Sequence, residues 1–137
     1  MTDRPLVVFA CVHNAGRSQM AAALFNQMVD PSRAQAISAG TRPATRVHPN
    51  VVAAMQEVGI GLTAVKPQLL TLDLAGGATL LVTMGCGEEC PTLPGVERDD
   101  WPLDDPATLP IEAVRVVRDE ISRRVSRLLE SRGWSLG

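Results

Sequence analysis

The feature that most constrains this chain is the stretch from Cys11 to Ser18, which reads C-V-H-N-A-G-R-S. A short apolar run, residues 5–10, leads into it, and a segment with helical spacing, residues 19–28, leads out. This order predicts a strand, a tight loop and a helix. The backbone N–H groups of such a loop, with the positive end of a helix behind them, can bind a tetrahedral oxyanion. An ordinary turn with a buried cysteine is the alternative, but the flanking elements favour the anion site.

Three side chains in this loop suit an attack on a bound oxyanion. The thiolate of Cys11, at the first position of the loop, is a nucleophile aimed at the anion. Arg17 offers planar, two-pronged donation that lysine would not reproduce. Ser18 can donate a hydrogen bond to the Cys11 sulfur and, together with Arg17 and the helix start, favour the thiolate.

The remaining residues of the loop, Val12, His13, Asn14, Ala15 and Gly16, are predicted to surround the anion with their backbone. Gly16 permits a backbone angle that other residues resist, and Ala15 leaves room for inward-facing N–H groups. We expect Asn14 to hold the loop through side-chain bonds to the backbone. His13 could act as a base, but we favour an outward-facing side chain whose backbone N–H alone contributes.

The apolar patterns predict strands that alternate with helices. The strands lie at residues 6–10, 34–39 and 78–83, with a possible edge strand at 96–98 and a weaker candidate within 60–67; the helices lie at 19–28, 48–58 and 110–132, with an ambiguous short one within 68–74. Alternating elements indicate a parallel sheet covered on both faces, and we expect one domain over residues 1–137. The arginines of the last helix are interpreted as a solvated face.

Composition narrows the class of protein. A net charge of −2 argues against a nucleic-acid-binding protein. The N-terminal residues lack the basic start of a signal peptide, and the first apolar run is too short to span a bilayer. We therefore expect a cytoplasmic monomer with no membrane contact. Three cysteines in such a chain point to catalysis, redox exchange or metal binding rather than to a disulfide framework.

A proton donor for the departing oxygen is expected far along the chain. The candidates are Asp104 and Asp105, of which Asp105 precedes a proline and lies on a rigid turn. Cys11 and Cys86 both follow predicted strands at their carboxyl ends. Because ligands bind at that edge of a parallel sheet, the two thiols are expected on the same edge.

Together these motifs resemble the low-molecular-weight tyrosine phosphatase superfamily. The C-x5-R-S loop, the Ser-Ala-Gly of residues 38–40 and the late Asp-Pro carry the resemblance. Within the superfamily the chain is more similar to the arsenate reductases of the thioredoxin-coupled type. Gln19 follows the Arg-Ser pair where the phosphatases usually have proline, and residues 83–94 and 101–106 look like the redox segment and the general-acid loop of those reductases.

The resemblance implies a three-layer α/β sandwich with a central four-stranded parallel sheet, and an enzyme of arsenic detoxification. Cys11 would attack arsenate held by the loop and Arg17, and Asp105 would protonate the departing oxygen. Cys86 would then attack Cys11 and release arsenite, and Cys90 would attack Cys86 to leave a Cys86–Cys90 disulfide. Hydrolysis of a phosphate ester needs only the first cysteine, so two further thiols indicate reduction.

The resemblance also implies what binds and what does not. We expect no bound cofactor and no metal, and Ala22 stands near the place where some members have a carboxylate for potassium. Phosphate and sulfate would compete with arsenate. The external reductant would be thioredoxin, or a mycothiol- or bacillithiol-type thiol with a glutaredoxin-like protein; three residues between Cys86 and Cys90 suit the second donor.

Two other functions fit some of these motifs. A low-molecular-weight phosphatase would use Cys11, Arg17 and Asp105 and would have no function for the other cysteines. A non-enzymatic metal or redox sensor would use all three thiols and would have no function for Arg17 and the anion loop.

Overall fold

The computed structural model of the protein describes residues 4–85, 90 and 93–136. The strands are β1 (Leu6–Cys11), β2 (Gln35–Gly40), β3 (Leu80–Thr83) and β4 (Glu97–Asp100); the helices are α1 (Arg17–Met28), α2 (Pro49–Gln56), α3 (Leu72–Gly76) and α4 (Ile111–Arg132), with a 3-10 turn at Pro106–Thr108.

The four strands form one parallel sheet, as predicted, and their order in the sheet is β2-β1-β3-β4. The two central strands are continuous apolar runs because both of their faces are buried. The outer strand β4 reads Glu-Arg-Asp-Asp, and such charges protect an open edge from pairing with another chain. The order places the ends of β1 and β3 side by side.

Each face of the sheet packs against a separate hydrophobic core. The larger core lies between the sheet and the helices α1, α2 and α4, and includes Phe9, Phe25 and Trp101. The smaller core on the other face joins Val8, Ala10, Leu81 and Cys90 to residues that flank α3. The predicted three-layer α/β arrangement is therefore confirmed.

The weaker strand candidate within residues 60–67 is wrong. This segment contains turns and a proline, and its continuation meets β2 only through an isolated bridge between Gly40 and Leu69. Side-chain amides bond to other backbone groups of this β2 edge: Asn26 exchanges two hydrogen bonds with the Ala36 backbone, and Gln68 Nε2 donates to the Ser38 carbonyl. These side chains bond to groups that a fifth strand would otherwise pair with.

The helices differ from the sequence pattern at three places. Helix α2 ends at Gln56, so Val58 lies outside the helix and is exposed. After this end, Gly59 adopts φ +81° and the Ile60 N–H donates to the Met55 carbonyl. The short helix within 68–74 is instead α3, which Thr71 caps. On α4, Arg118 is buried, which contradicts a uniformly solvated arginine face.

No helix among the described residues combines the length and the apolar character needed to cross a membrane.

Candidate active site

Cys11 ends β1 and lies at the start of the predicted anion loop. Its Sγ lies 2.8 Å from Ser18 Oγ, and Cys11 is a free, buried cysteine. Asn14 Nδ2 donates to the same Ser18 oxygen at 2.8 Å. Because that bond occupies a lone pair of the Ser18 oxygen, the hydroxyl hydrogen is free to point at the sulfur. The predicted contact is present, and a Ser18 hydroxyl that donates to the sulfur stabilises a thiolate.

Asn14 organises the loop from a left-handed conformation with φ +50°. Its Oδ1 accepts from the backbone N–H of Gln68 at 2.9 Å and from Gln19 Nε2 at 3.1 Å. Gln19 Nε2 also donates to the Asn14 carbonyl. Because the backbone N–H of Gln68 can only donate, it fixes the side-chain oxygen on that side and turns Nδ2 toward Ser18. Asparagine tolerates the left-handed region better than most residues, which suits this position.

Gly16, the residue before α1, is a glycine for two reasons. Its backbone lies at φ −141° and ψ −94°, outside the α and β regions that residues with a side chain usually occupy, which agrees with the prediction. Close packing also requires a glycine, because a Cβ at Gly16 would lie 2.9 Å from Pro106 Cγ and 3.4 Å from His48 Cδ2. Gly40 has a similar function, since a Cβ there would lie 2.6 Å from the Val12 carbonyl oxygen. Each glycine lets another segment reach the anion loop.

Arg17 is the first residue of α1 and is only 8% exposed. Its Nη1 donates to the Leu103 carbonyl at 3.0 Å, and its Nη2 lies 3.7 Å from Asp105 Oδ2. Gly85, with φ +96°, packs against the guanidinium, where any Cβ would clash. Arginine has five N–H donors, so these contacts orient the group and leave donors for an oxyanion.

The two candidate acids separate in the structure. Asp105 faces Arg17 and caps the 3-10 turn, accepting from the Ala107 N–H at 3.0 Å. Asp104 instead lines a groove between its own loop and α4, together with Val117 and Glu120. Geometry therefore favours Asp105, whose carboxylate is half-exposed beside the group that would hold the anion.

Two histidines lie near the loop. The His13 side chain is exposed, and its Nδ1 lies 3.2 Å from the Arg42 carbonyl oxygen, which agrees with the outward-facing interpretation. His48, the cap of α2, packs against Gly16 and was missed as a site residue because its only sequence signal is a helix start. Burial lowers the pKa of His48; the Asp105 charge opposes this shift and His13 reinforces it.

The second predicted thiol, Cys86, lies outside the described residues. The chain immediately before it lies beside the anion loop: the Met84 N–H donates to the Ala10 carbonyl at 2.8 Å, and Gly85 packs on Arg17. Cys90 is buried in the smaller core, and its carbonyl accepts from Arg98. At the carboxyl ends of the strands, where both thiols were predicted, the structure therefore shows Cys11 and the residues that precede position 86.

Within the part of the chain that the structure describes, no group of three His, Cys, Asp or Glu side chains is arranged to hold a metal ion.

A cysteine and an arginine in an anion loop, between a central parallel strand and a helix and facing an aspartate, define a class of protein. The family model for low molecular weight phosphotyrosine protein phosphatases matches residues 6–133. The chain belongs to this family.

Its relatives narrow the class further. An arsenate reductase of Bacillus cereus is 36% identical over 135 residues, which cover 96% of this chain and 98% of the relative. A putative arsenate reductase of Halobacterium salinarum is 36% identical over 126 residues, or 89% of each chain. The solved thioredoxin-dependent arsenate reductase of Corynebacterium glutamicum superposes with a TM-score of 0.80 at 38% identity. That match covers 93% of this chain but only 61% of the solved chain.

Proposed function

We propose that this protein is an arsenate reductase that acts in arsenic detoxification. The observation that carries the proposal is the position of the chain after β3. Met84 is bonded to the end of β1 and Gly85 packs on Arg17, so the segment with the other two cysteines starts beside the Cys11 loop. The names and the coverage of the relatives support the same reaction.

In the first step the Cys11 thiolate attacks the arsenic atom of arsenate. A sulfur–arsenic bond forms, and one oxygen leaves as water after Asp105 gives it a proton. The backbone of residues 12–16 and the free donors of Arg17 hold the remaining oxygens. Donors placed before the reaction stabilise the negative charge that develops there. Arsenic remains As(V) in this step.

In the second step the Cys86 thiolate attacks the Cys11 sulfur. The sulfur–arsenic bond breaks, its electron pair stays on arsenic, and As(III) leaves as arsenite while a Cys11–Cys86 disulfide forms. Cys90 then attacks Cys86, which frees Cys11 and leaves a Cys86–Cys90 disulfide. An external thiol donor supplies the two electrons that reduce this disulfide.

The electron donor is part of the proposal. Thioredoxin is one candidate, and it is supported by the similarity to the thioredoxin-dependent arsenate reductase of Corynebacterium glutamicum. A mycothiol- or bacillithiol-type thiol with a glutaredoxin-like protein is the other, supported by the short interval between Cys86 and Cys90. Arsenate-dependent NADPH consumption with each complete donor system distinguishes them.

The family description favours a phosphatase as the second candidate function. A phosphatase would use the same Cys11, Arg17 and Asp105 but would complete turnover with water. Two variants separate the reactions. Cys11→Ser should abolish arsenate reduction and hydrolysis of an aryl phosphate alike, because both need the nucleophile. Cys86→Ser should abolish repeated arsenate turnover and leave any hydrolysis at the wild-type rate.

The measurement is arsenite formed per protein over many turnovers, alongside nitrophenol release from p-nitrophenyl phosphate. Steady reduction by the Cys86→Ser protein would refute the relay. Hydrolysis without arsenate reduction in the wild-type protein, with both donor systems, would favour the phosphatase. A sensor would show neither activity and would retain metal stoichiometrically in the reduced state.

A further inference from the structure

The first turn of α2 holds the loop that carries the general-acid candidate. Asn50, the second residue of α2, donates from Nδ2 to the Pro106 carbonyl at 2.7 Å and to the Leu109 carbonyl at 3.1 Å. Its Oδ1 accepts from the Val51 N–H at 2.9 Å. Both amide hydrogens and the amide oxygen are engaged, so the orientation of this side chain is determined by its partners.

The two carbonyls that Asn50 binds belong to the first residue of the 3-10 turn and to the residue that follows it. Asp105 directly precedes this turn. Pro106 rests against Gly16 of the anion loop, so the turn is held on a second side as well. The Asp105 carboxylate is itself half-exposed, and its contact with Arg17 is a loose 3.7 Å. The shorter of its two contacts is the hydrogen bond from the Ala107 N–H at 3.0 Å, which lies within the turn, so the position of the carboxylate depends on the turn.

We propose that Asn50 is a positioning residue for Asp105. Its hydrogen bonds hold the 3-10 turn in place, so that the Asp105 carboxyl group reaches the oxygen that leaves arsenate. The proposal rests on the function of Asp105 as the general acid proposed above. Small displacements of a catalytic group are costly, with a loss of about 10²-fold for a misplacement of about 1 Å.

The affected step differs from substrate binding. Arsenate binding depends on the anion loop and Arg17, and Asn50 bonds to neither. Loss of the hydrogen bonds from Asn50 should therefore lower the rate at which bound arsenate reacts. It should leave the arsenate concentration that gives half of the maximal rate nearly unchanged. A general loosening of the fold would disturb both quantities.

The experiment uses the fully reduced full-length protein in excess over arsenate, so that one turnover needs no external donor. Arsenite is measured after rapid quenching. Asn50→Ala removes the donor, and we expect a rate about 10-fold lower, a part of the full contribution of a general acid. The half-saturating concentration, read from repeated turnover with a donor system, should stay within about two-fold, because the anion-binding donors are intact.

Asn50→Asp is the second variant. This variant keeps the oxygen that accepts from the Val51 N–H, and a carboxylate is favourable at the start of a helix. It replaces the donor Nδ2 with an oxygen, which repels the Pro106 and Leu109 carbonyl oxygens. This variant should fold even if Asn50→Ala does not, and its rate should fall at least as far. Asn26→Ala is the matched control, because Asn26 makes two comparable bonds to the Ala36 backbone away from the acid loop. Its rate should match the wild type.

A double variant identifies the route of the effect. In an Asp105→Asn background, Asn50→Ala should change the rate by less than about two-fold if it acts through Asp105, since coupled sites are not additive. If Asn50→Ala lowered the rate in the Asp105→Asn background as much as in the wild type, or if both Asn50 variants reacted at the wild-type rate, the positioning function would be refuted. Either result would leave the proposed function of Asp105 untouched. A wild-type rate in Asp105→Asn would instead refute the proposed acid, and Asp104→Asn is its matched control.

Discussion

Arg17 and Arg118 are both buried, at 8% and 9% exposure, but their surroundings differ. Arg118 on α4 donates to the Ala54 carbonyl and to Glu57 at 2.8 Å each, and to Asp119 at 2.9 Å. Arg17 has one carbonyl at 3.0 Å and one carboxylate at 3.7 Å. Arg118 is held by three hydrogen bonds of 2.9 Å or less, whereas Arg17 is oriented by one hydrogen bond and one longer ion pair and keeps more donors available.

The same contrast extends to the neighbours of each arginine. Around Arg118, Glu57 also accepts three hydrogen bonds from Arg115, at 2.9, 3.1 and 2.6 Å, which tie the end of α2 to α4. The hydrogen bonding to Arg115 is the first cause that lowers the pKa of Glu57 to about 2, and the Arg118 bond is the second. Beside Arg17, the residue packed against the guanidinium is Gly85, which has no side chain to bond to it.

Replacement of Arg17 by lysine should give the largest effect. Lysine keeps the charge but loses the planar fork, so kcat/KM for arsenate should fall about 10²- to 10³-fold, the usual cost of a lost oxyanion donor. Unfolding in denaturant should change little, because Arg17 makes few protein bonds. Arsenate kinetics within a few-fold of the wild type would contradict the assignment.

Arg118→Lys is the matched substitution at the structural site. A lysine ammonium cannot reach the Ala54 carbonyl, Glu57 and Asp119 at once, so hydrogen bonds of a buried group are lost and the free energy of unfolding should fall by about 1–3 kcal/mol. The midpoint of urea unfolding measures this loss, with an unchanged slope as the control. Activity per folded molecule should equal the wild type, and a strong loss of activity with intact stability would reverse the contrast.

The smallest effect concerns the pH dependence of the Glu57 cluster. A carboxylate with a pKa of about 2 in the folded protein and 4.5 ordinarily stabilises the fold above pH 4.5, and this contribution disappears as the pH falls toward 2. Glu57→Gln should therefore be less stable than the wild type at pH 7, with a difference that shrinks below pH 4.5. Thermal unfolding across this range tests it, and a constant difference would refute it.

Local patterns were sufficient to predict the loop and the order of elements. A strand, eight loop residues and a helix are contiguous, so their spacing alone places Cys11, Arg17 and Ser18 together. The weak strand within 60–67 failed because short apolar segments look alike in sequence, and only the tertiary structure excludes it. Arg118 was misjudged because helical periodicity shows the apolar stripe but not which polar residue meets another helix.

The sequence by itself predicted that Cys11 and Arg17 lie at the two ends of one loop on a parallel sheet, because this depends on residue type and on short, regular spacing. Only the tertiary structure decided which aspartate faces Arg17 and which residues hold the loop. Gln68, His48 and Asn50 reach the site from segments 30 or more residues beyond it, and no local period marks them. Crossovers between strands bring such residues together, and their contacts emerge only when the layers pack.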